Sequence, residues 1–435
     1  MAGPGIRGYR FAKELAREND VTLAVPFATD LDVAADGIGL AQIRPDDDTG
    51  LTALVDGFDA VVAQQLPVLT MHHLAKSKTR TVYDLYAPVT VEQLALDSRR
   101  ARSRRNDLWF RRNSLVQEVV LRTGDAFVCA SERQRDLWLG ALAALGRIDQ
   151  DRYAHDPSLR SLIDVVPFGI EPDPPLPGAP AVKGVVPGIG EDDRLLLWSG
   201  GIWDWFDPLT VIRAVHELSQ RRDDVRLYFL GLKHPNPEIG EMTMAARAVR
   251  LAEELGLHDR VVFFNFGWVP YAERGRYLLE ADVGVSAHFD DLETRFAFRT
   301  RMLDCFWAGL PVVTTRGDSL SELVAERGLG RVVDFEDVQG WVSALEAVLD
   351  DEDARTTASQ NAAAVREELA WPRVVATLAR LAAVPGGPTP RSARLRLAVL
   401  EYLRVRTQLS MVRRGPLGTA RRILRRFTEA ARFRR

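Results

Sequence analysis

Short apolar segments alternate with helical segments along most of the chain, and this alternation restricts the fold more than any other feature of the sequence. The first series of apolar segments comprises residues 21–26, 60–63, 81–84, 126–129 and 164–167. Strands that are apolar on both faces are typical of parallel sheets covered by helices on both sides. The alternation therefore predicts an α/β fold built on Rossmann-like parallel sheets.

A second series of the same kind follows a segment rich in proline and glycine. Residues 171–190 contain six prolines and four glycines, a composition typical of a linker. Beyond it, predicted strands lie at residues 195–198, 225–230, 261–264, 283–286 and 312–315, with helical patterns at 207–221, 240–255, 271–280 and 338–349. The chain has 435 residues, which is too long for a single hydrophobic core.

These features divide the chain into two domains and a tail. We predict a first domain at residues 1–170, a linker at 171–193, a second domain at 194–384, and a further linker with a tail at 385–435. Parallel sheets bind ligands at the carboxyl ends of their strands, so two such domains predict a ligand cleft between the sheets.

The segment at residues 293–318 carries a dense group of charged side chains beside a predicted strand. Two arginines and an acid, Asp304, fall on what the pattern predicts to be one helix, with Arg301 and Asp304 on the same face. A Gly-Leu-Pro break and the strand at 312–315 follow. Acid and base together near the end of a parallel strand suit a ligand that carries phosphate and hydroxyl groups. The alternative is a surface helix stabilised by salt bridges.

Gly3 and Gly5 precede the first predicted helix in a pattern typical of a turn whose backbone N–H groups bind phosphate. Such a turn normally follows a strand, so we expect a strand before Gly3, central in the first sheet and adjacent to residues 21–26. The alternative is a first sheet that closes around the N-terminal loop.

The last part of the chain is strongly basic. Residues 391–435 hold fourteen arginines and two glutamates, a net charge of +12, which leaves −15 for residues 1–390 of a chain with net charge −3. Apolar residues in this tail form two helical stripes: Leu395, Ala398, Val399, Tyr402, Val405, Leu409 and Val412, then Leu417, Ala420, Leu424, Phe427 and Ala431.

This composition predicts an amphipathic tail that binds an anionic membrane surface. The alternatives are packing of the tail on the protein or a partner, and nucleic-acid binding, which the scarcity of stacking aromatics among the arginines disfavours. We further expect that deleting residues 391–435 leaves a folded protein. A second basic segment, residues 98–112, surrounds Trp109 and Phe110 with seven arginines and is interpreted either as a solvated helix face or as an anionic-surface contact.

Neither the cysteines nor the N-terminus indicates secretion. Cys129 and Cys305 lie in apolar surroundings and are predicted to be buried, reduced thiols. No apolar run approaches the length of a membrane span, and the first residues show no signal-peptide core. We therefore predict a cytoplasmic protein, peripheral on the inner face of the cell membrane.

Several short motifs, taken in their order and spacing, resemble the GT-B glycosyltransferases of family 4 up to about residue 384. They are Gly3-Pro-Gly5 with its following helix, residues 126–131, residues 166–170, residues 195–201, residues 228–231, residues 262–267, residues 281–286, and residues 304–313. The resemblance implies an enzyme that retains the anomeric configuration, uses a nucleotide-diphosphate sugar, and needs no metal or other cofactor. It also implies that the second domain holds this donor and the first domain holds the acceptor.

The resemblance assigns donor-binding roles to residues of both domains. Asp304 takes the place of the family's second glutamate, which binds the ribose hydroxyls. Gly3 and Gly5 match the first-domain turn that approaches the diphosphate. Gly267 and Trp268 lie where the base is usually held. Gly200 and Gly201 follow the strand at 195–198, at the start of the family's phosphate-binding loop.

Two acidic positions depart from the family pattern. Phe296 occupies the place of the family's first glutamate, and Glu293 is the only nearby acid that could substitute for it. The family's His-Asp pair appears as Tyr83-Asp84, so a histidine role is lost. Asp84 remains a candidate for contact with the acceptor hydroxyl.

The cationic positions depart as well. Gly201 and Phe206 occupy the places of the family's phosphate-binding Arg and Lys. Another cation must then neutralise the diphosphate, and Arg295, Arg299 and Arg301 are the nearest candidates in the sequence. An arginine fork suits a phosphate group.

These inferences lead to a retaining glycosyltransferase that acts on a glycan or lipid-linked acceptor at the cytoplasmic membrane face, in the synthesis of a cell-surface polysaccharide or glycolipid. The absent Arg and Lys motivate an alternative, a catalytically silent GT-B protein that binds nucleotide and acts as a scaffold. An epimerase of the same fold is disfavoured because no set of carboxylates is placed for proton abstraction. No nucleic-acid partner is expected.

Overall fold

The computed structural model describes residues 3–26, 32–44, 47–98, 101–232, 242–387 and 395–413. They form two compact units. The first domain comprises Gly8–Pro167 and the chain from Val375 onward, and the second comprises Phe168–Val374 and the residues up to Arg7. Both contain parallel sheets with helices between successive strands, so the predicted α/β class is confirmed.

The N-terminal part of the chain has two parallel sheets. One pairs β1 (Thr22–Val25) with β2 (Gly39–Gln42), and the other has the order β3 (Ala60–Ala63), β4 (Arg80–Asp84), β5 (Ala126–Cys129), β6 (Ile163–Val165). Its helices are α1 (Gly3–Leu15), α2 (Asp48–Val55), α3 (Val68–Leu74), α4 (Val89–Ser98), α5 (Arg104–Thr123), α6 (Glu132–Ala144) and α7 (Gln150–His155). A single 3-10 turn at Ala34–Asp36 precedes β2.

The chain start differs from the predicted loop. Gly3 and Gly5 form the first turn of α1, which Pro4 permits because the first residues of a helix need no intrahelical N–H partner. In the described residues, β1 pairs only with β2, and this pair shares no hydrogen bonds with the sheet of β3 to β6. The expected strand before Gly3 would lie outside the printed sequence and stays a prediction.

The second domain is built on one six-stranded parallel sheet. Its strands are β7 (Arg194–Trp198), β8 (Val225–Phe229), β9 (Val262–Phe264), β10 (Val283–Ser286), β11 (Val312–Thr315) and β12 (Gly330–Val333). They lie in the order β12-β11-β10-β7-β8-β9. The chain therefore builds the sheet outward from β7 in one direction and then outward from β10 in the other. The adjacent strands β7 and β10 form a topological switch point, where open α/β sheets bind ligands at the carboxyl ends of their strands.

Among the described residues, nine helices follow β7 along the chain, as far as residue 382. They are α8 (Pro208–Leu218), α9 (Thr243–Glu254), α10 (Arg274–Glu280), α11 (Leu292–Phe296), α12 (Thr300–Ala308), α13 (Ser319–Arg327), α14 (Val338–Asp350), α15 (Glu352–Glu368) and α16 (Trp371–Ala382). A 3-10 turn at Tyr271–Glu273 leads into α10. One core cluster of this domain contains Trp198 and Phe229 of the sheet together with Val215 and Leu345 of α8 and α14.

The single helix predicted for the charged segment is wrong, because this segment forms two helices. Ala297 ends α11 in an extended conformation, with φ −71° and ψ 153°, and Arg299 is the N-cap residue of α12. Gly309 ends α12 in the left-handed region at φ 69°, which glycine adopts readily. The break lets Arg299 turn back toward Glu293 on α11, and this buried contact favours two helices over one.

The tail also differs from the prediction. Residues 395–413 form a helix, here α17, and the first part of its predicted apolar stripe is buried in the core of the first domain, whereas Leu409 is half-buried and Val412 is exposed. The stripe residues in this core are Leu395, Ala398, Val399 and Tyr402, and Val405 is fully buried as well. This stripe is therefore not free to bind a membrane: it packs on the protein, the alternative considered above.

Two consequences follow for the tail. Deleting residues 391–435 would expose the apolar core that α17 covers, so we now expect the deletion to destabilise the first domain. The second stripe, residues 417–431, lies outside the described residues. Among the helices that the structure describes, none is both long and apolar enough to cross a membrane.

Candidate functional site

The loop after β7 forms one side of the switch point. Asp207 ends this loop and caps α8, its carboxylate accepting a hydrogen bond from the Thr210 N–H at 3.1 Å. At the other end of the loop, Gly200 and Gly201 leave the backbone uncovered by side chains. A Cβ atom built on Gly200 would lie 3.7 Å from Nη2 of Arg301. The Arg301 side chain on α12 therefore lies in van der Waals range of the backbone of this loop.

Arg301 joins the loop after β7 to the helix that follows β10. Its Nη2 donates a hydrogen bond to the carbonyl oxygen of Gly201 at 2.7 Å. Its guanidinium carbon lies 3.9 Å from the ring centroid of Phe206 and 4.6 Å from that of Trp198. Only 9% of the residue is exposed. Arg301 therefore lies at the topological switch point of the sheet.

The charge of Arg301 is uncompensated. Among the described residues, no carboxylate forms an ion pair with it, and its buried Nη1 has no hydrogen-bond partner. Burial and, to a lesser extent, the neighbouring Arg299 lower the pKa of the guanidinium to about 9, so the group is still a cation at neutral pH. A buried cation without a partner costs free energy that a bound anion would recover. The site is thus suited to an anionic ligand.

Arg299 differs from Arg301 because its charge is already paired. Its Nη1 and Nη2 donate to the two carboxylate oxygens of Glu293 at 2.9 and 2.5 Å, and Nη2 also lies 3.2 Å from the Thr294 hydroxyl. Both partners of this bidentate pair are buried. Glu293 is therefore occupied by Arg299 and is not a free carboxylate, and Arg299 is not a free cation. Their roles in substrate binding stay predictions.

The loops after β10 and β11 each add one buried group, His288 and Asp318, that was not predicted from the sequence. Asp318 caps α13 by accepting from the N–H groups of Leu320 and Ser321 at 2.7 and 3.1 Å. Its other carboxylate oxygen lies 3.4 Å from Nε2 of His288. Burial raises the pKa of Asp318 to about 6 and lowers the pKa of His288 well below its usual value. No sequence motif pointed to this pair.

Asp304 lies on α12 but faces a different neighbour from Arg301. One of its carboxylate oxygens accepts from Nε of Arg274 on α10 at 2.8 Å. The Arg274 guanidinium is held between the rings of Tyr271 and Trp307, at 3.5 and 4.1 Å from their centroids. Burial raises the pKa of Asp304, and Arg274 partly offsets this effect. The sequence analysis missed Arg274, since its partner is thirty residues away along the chain.

Other predicted donor-binding residues are more exposed. Gly267 and Trp268 follow the edge strand β9; the Gly267 N–H donates to the Asn265 side chain at 2.9 Å, and Trp268 is 41% exposed. Arg295 is exposed on α11. Among the residues that the structure describes, no contact joins Gly267, Trp268 or Arg295 to Arg301.

The first-domain candidates lie at a strand end and a helix start. Asp84 is the last residue of β4 and is buried, and burial also raises the pKa of the adjacent Tyr83. A Cβ atom built on Gly3 or Gly5 would meet nothing within 4 Å. Packing within the protein therefore does not require glycine at either position of α1, where glycine is unfavourable.

Replacing Asp304 with asparagine tests its predicted contact with ribose. Nucleotide affinity should fall by about 1–3 kcal/mol, because a hydrogen bond to a charged acceptor is lost. Because the pKa of Asp304 is raised, wild-type affinity should also weaken as the pH is lowered toward that pKa, and the variant should lose this dependence. Isothermal titration calorimetry at several pH values measures both effects. Unchanged affinity would remove Asp304 from the donor site.

The second domain matches a known family. Residues 193–351 match the model of the glycosyl transferases group 1. The D-inositol 3-phosphate glycosyltransferase of Mycolicibacterium smegmatis is 28% identical over 222 residues, which is 50% of this chain and 46% of the relative. That of Pseudarthrobacter chlorophenolicus is 30% identical over 183 residues, or 42% and 40% of the two chains. This chain thus matches less than half the length of these curated relatives.

Solved structures extend the likeness in fold to most of the chain. The HepE protein of Anabaena, solved in complex with UDP and glucose, has a TM-score of 0.63 at 12% identity, covering 87% of this chain and 95% of that one. WaaG, a glycosyltransferase involved in lipopolysaccharide biosynthesis, has a TM-score of 0.61 at 18% identity, covering 88% and 96%. The chain therefore has the GT-B fold, and residues 193–351 of its second domain are similar to the glycosyl transferases group 1.

Proposed function

We propose that this chain is a retaining glycosyltransferase that transfers a sugar from a nucleotide-diphosphate sugar to a glycan or lipid-linked acceptor. The observation that carries the proposal is the buried, unpaired Arg301 at the switch point of the second sheet. A diphosphate is an anion that fits this cation, and the fold and family supply the context. HepE, of the same fold, was solved with UDP and glucose.

Arg301 supplies the charge stabilisation that the reaction requires. As the bond between the sugar carbon and the diphosphate oxygen breaks, negative charge grows on the leaving diphosphate. The free Nη1–H group of Arg301 would donate to a phosphate oxygen, while its Nη2 stays anchored to Gly201. A cation that is fixed before the reaction stabilises this charge without reorganising. Arg301 thus takes over the role that the resemblance gives to the absent Arg and Lys.

The remaining candidates have supporting roles in this proposal. Asp304 binds ribose, Gly267 and Trp268 hold the base, and Gly3 and Gly5 permit close approach of the diphosphate to α1. Asp84 contacts the acceptor hydroxyl. Glu293 acts through Arg299, because its carboxylate is occupied. No metal or other cofactor is expected.

A thermal-shift screen tests donor binding. Purified protein would be heated with UDP-, GDP-, ADP- and dTDP-sugars and with the corresponding diphosphates. A ligand at about 100 times its dissociation constant stabilises the folded state by about 2.7 kcal/mol, which is a clear shift in the melting temperature. One nucleotide series is expected to stabilise the protein. The absence of stabilisation by every member at millimolar concentration would contradict the proposal.

We further propose that the first domain contacts an anionic membrane surface through the outer faces of α5 and α17. These helices are joined by an ion pair between Arg111 and Glu401 and by Arg112, whose guanidinium carbon lies 6.0 Å from the ring centroid of Tyr402. On the outer face of α17, Leu397 and Leu400 are 63% and 62% exposed. α17 also exposes Arg396, Arg404 and Arg413, and three exposed arginines lie at or just before the start of α5: Arg102, Arg104 and Arg105.

This surface combines the two features of interfacial binding, exposed apolar side chains and arginines that attract anionic lipid. It replaces the buried stripe of the original prediction, and it includes the basic segment at residues 98–112. A membrane-bound acceptor and a role in cell-surface polysaccharide or glycolipid synthesis, at the inner face of the cell membrane, would follow from such binding.

Replacing both Leu397 and Leu400 with glutamine tests this surface. The variant should sediment several-fold less with phosphatidylglycerol vesicles, because apolar insertion is lost while the buried face of α17 stays intact. Leu176→Gln is the matched control, since Leu176 is 84% exposed and lies in the linker. Wild-type binding should also weaken with salt. Equal sedimentation of the double variant and the control would rule out this surface.

A further inference from the structure

The loop after β7 carries two tryptophans that the proposed function does not use. The rings of Trp203 and Trp205 are stacked, with centroids 5.1 Å apart and an interplanar angle of 3°. Each ring packs partly against the core of the second domain and keeps part of its surface exposed. The two stacked rings therefore offer an aromatic surface in this loop.

Every second residue from Ile202 to Phe206 is buried and fixes the conformation of the loop after β7. Ile202, Asp204 and Phe206 are buried, and Asp204 accepts a hydrogen bond from the N–H of Met244 at the start of α9, at 2.9 Å. Phe206 pairs with His288 in an isolated bridge. These anchors lie between and beside the tryptophans along the chain. The conformation of the loop therefore rests on these anchors.

The tryptophan pair and Arg301 share two neighbours. Nε1 of Trp203 lies 3.8 Å from the position of a Cβ atom on Gly201, whose carbonyl oxygen accepts from Arg301. Trp205 packs on Phe206 at a centroid distance of 6.1 Å, and the same ring lies under the Arg301 guanidinium. A flat aromatic surface is thus placed directly beside a cation suited to phosphate.

We propose that Trp203 and Trp205 form a platform for a pyranose ring next to the diphosphate at Arg301. One face of a pyranose carries C–H groups that are made slightly positive by the ring and hydroxyl oxygens, and the face of an indole is negative. The proposal rests on the proposed function, because the phosphate at Arg301 fixes where the ring would lie. The pyranose is the sugar of the donor or the sugar of the acceptor, and the experiment separates the two.

The test uses leucine and phenylalanine at each position. Trp203→Leu and Trp205→Leu keep apolar volume but remove the aromatic face, while Trp203→Phe and Trp205→Phe keep a smaller one. Trp109→Leu, on α5 of the first domain, is the control. Calorimetry would compare the affinity for a nucleoside diphosphate with that for its sugar conjugate, using the series found in the thermal-shift screen. Transfer to a panel of octyl glycosides would give the acceptor KM, and thermal melting would confirm folding.

Two results support the platform. A donor platform predicts that the leucine variants bind the diphosphate as the wild type does but bind the sugar conjugate about tenfold more weakly. An acceptor platform predicts unchanged donor affinities and an acceptor KM raised about tenfold. In both cases the phenylalanine variants should recover most of the loss, which a merely structural role would not explain.

Two results overturn it. Leucine variants equal to the wild type in all three measurements would show that the tryptophans do not bind substrate. An equal loss of affinity for the diphosphate and its conjugate would assign the tryptophans to the nucleotide instead. Failure of the proposed function is distinguishable, because Arg301→Met would then leave diphosphate affinity unchanged. If no diphosphate or conjugate binds the wild type, both proposals fail together.

Discussion

Replacing Arg301 with methionine should lower the rate of sugar-nucleotide turnover about a hundredfold or more, the scale of losing one charge stabiliser of the transition state. Methionine keeps much of the side-chain length over Trp198 and Phe206 but removes the charge. Diphosphate affinity should fall with it, because the free Nη1–H group is lost. Arg301→Lys should retain part of both, since lysine keeps the charge without the fork.

The same variant, Arg301→Met, should lose activity without losing stability. Removing a buried cation that has no partner relieves its desolvation cost, so Arg301→Met should unfold at the same or a higher temperature than the wild type. Arg295→Met is the control, since Arg295 is an exposed arginine in the same segment. Loss of activity with retained stability identifies a binding residue. Normal turnover by Arg301→Met would show that the diphosphate binds elsewhere.

Replacing Arg299 with methionine should have the reverse effect on stability. It leaves the Glu293 carboxylate buried and unpaired, which costs about 3–5 kcal/mol of unfolding free energy. Glu293→Gln should also destabilise the second domain, because the guanidinium then loses its charged partner. Urea unfolding followed by tryptophan fluorescence measures both variants.

The double variant Arg299→Met with Glu293→Leu distinguishes the contribution of the ion pair to stability from the contribution of side-chain packing. Replacing both partners by apolar residues of similar size should recover much of the stability, since no unpaired charge remains. If Arg299→Met is as stable as the wild type, the ion pair contributes nothing and Arg299 would be as available to a ligand as Arg301. That outcome would remove the basis for distinguishing the two arginines.

The strand pattern made the α/β fold predictable, and the exceptions have physical causes. β2 (Gly39–Gln42) was missed because it has no β-branched residue and contains a glycine. β12 (Gly330–Val333) was missed because it lies at the sheet edge and begins with glycine at φ 149°. Neither segment shows the continuous apolar pattern of a strand buried on both faces.

The site was predictable to the level of a segment but not of single residues. The sequence placed Arg295, Arg299 and Arg301 near the ligand, yet only tertiary contacts show that Arg299 is paired, Arg295 exposed and Arg301 buried without a partner. The tail shows the same limit. The apolar stripe that begins at Leu395 has the same helical periodicity whether the helix packs on a lipid surface or on α5. The sequence pattern alone therefore could not show which of the two surfaces it contacts.

The release of nucleoside diphosphate from sugar nucleotides tests the account most directly. Purified full-length protein would be incubated with UDP-, GDP-, ADP- and dTDP-sugars, with and without octyl glycoside acceptors, and the diphosphate quantified by chromatography. The account predicts release from one donor series, faster with acceptor, and reduced about a hundredfold in Arg301→Met. Binding of a nucleotide without turnover of any donor would contradict it and indicate a catalytically silent nucleotide-binding protein.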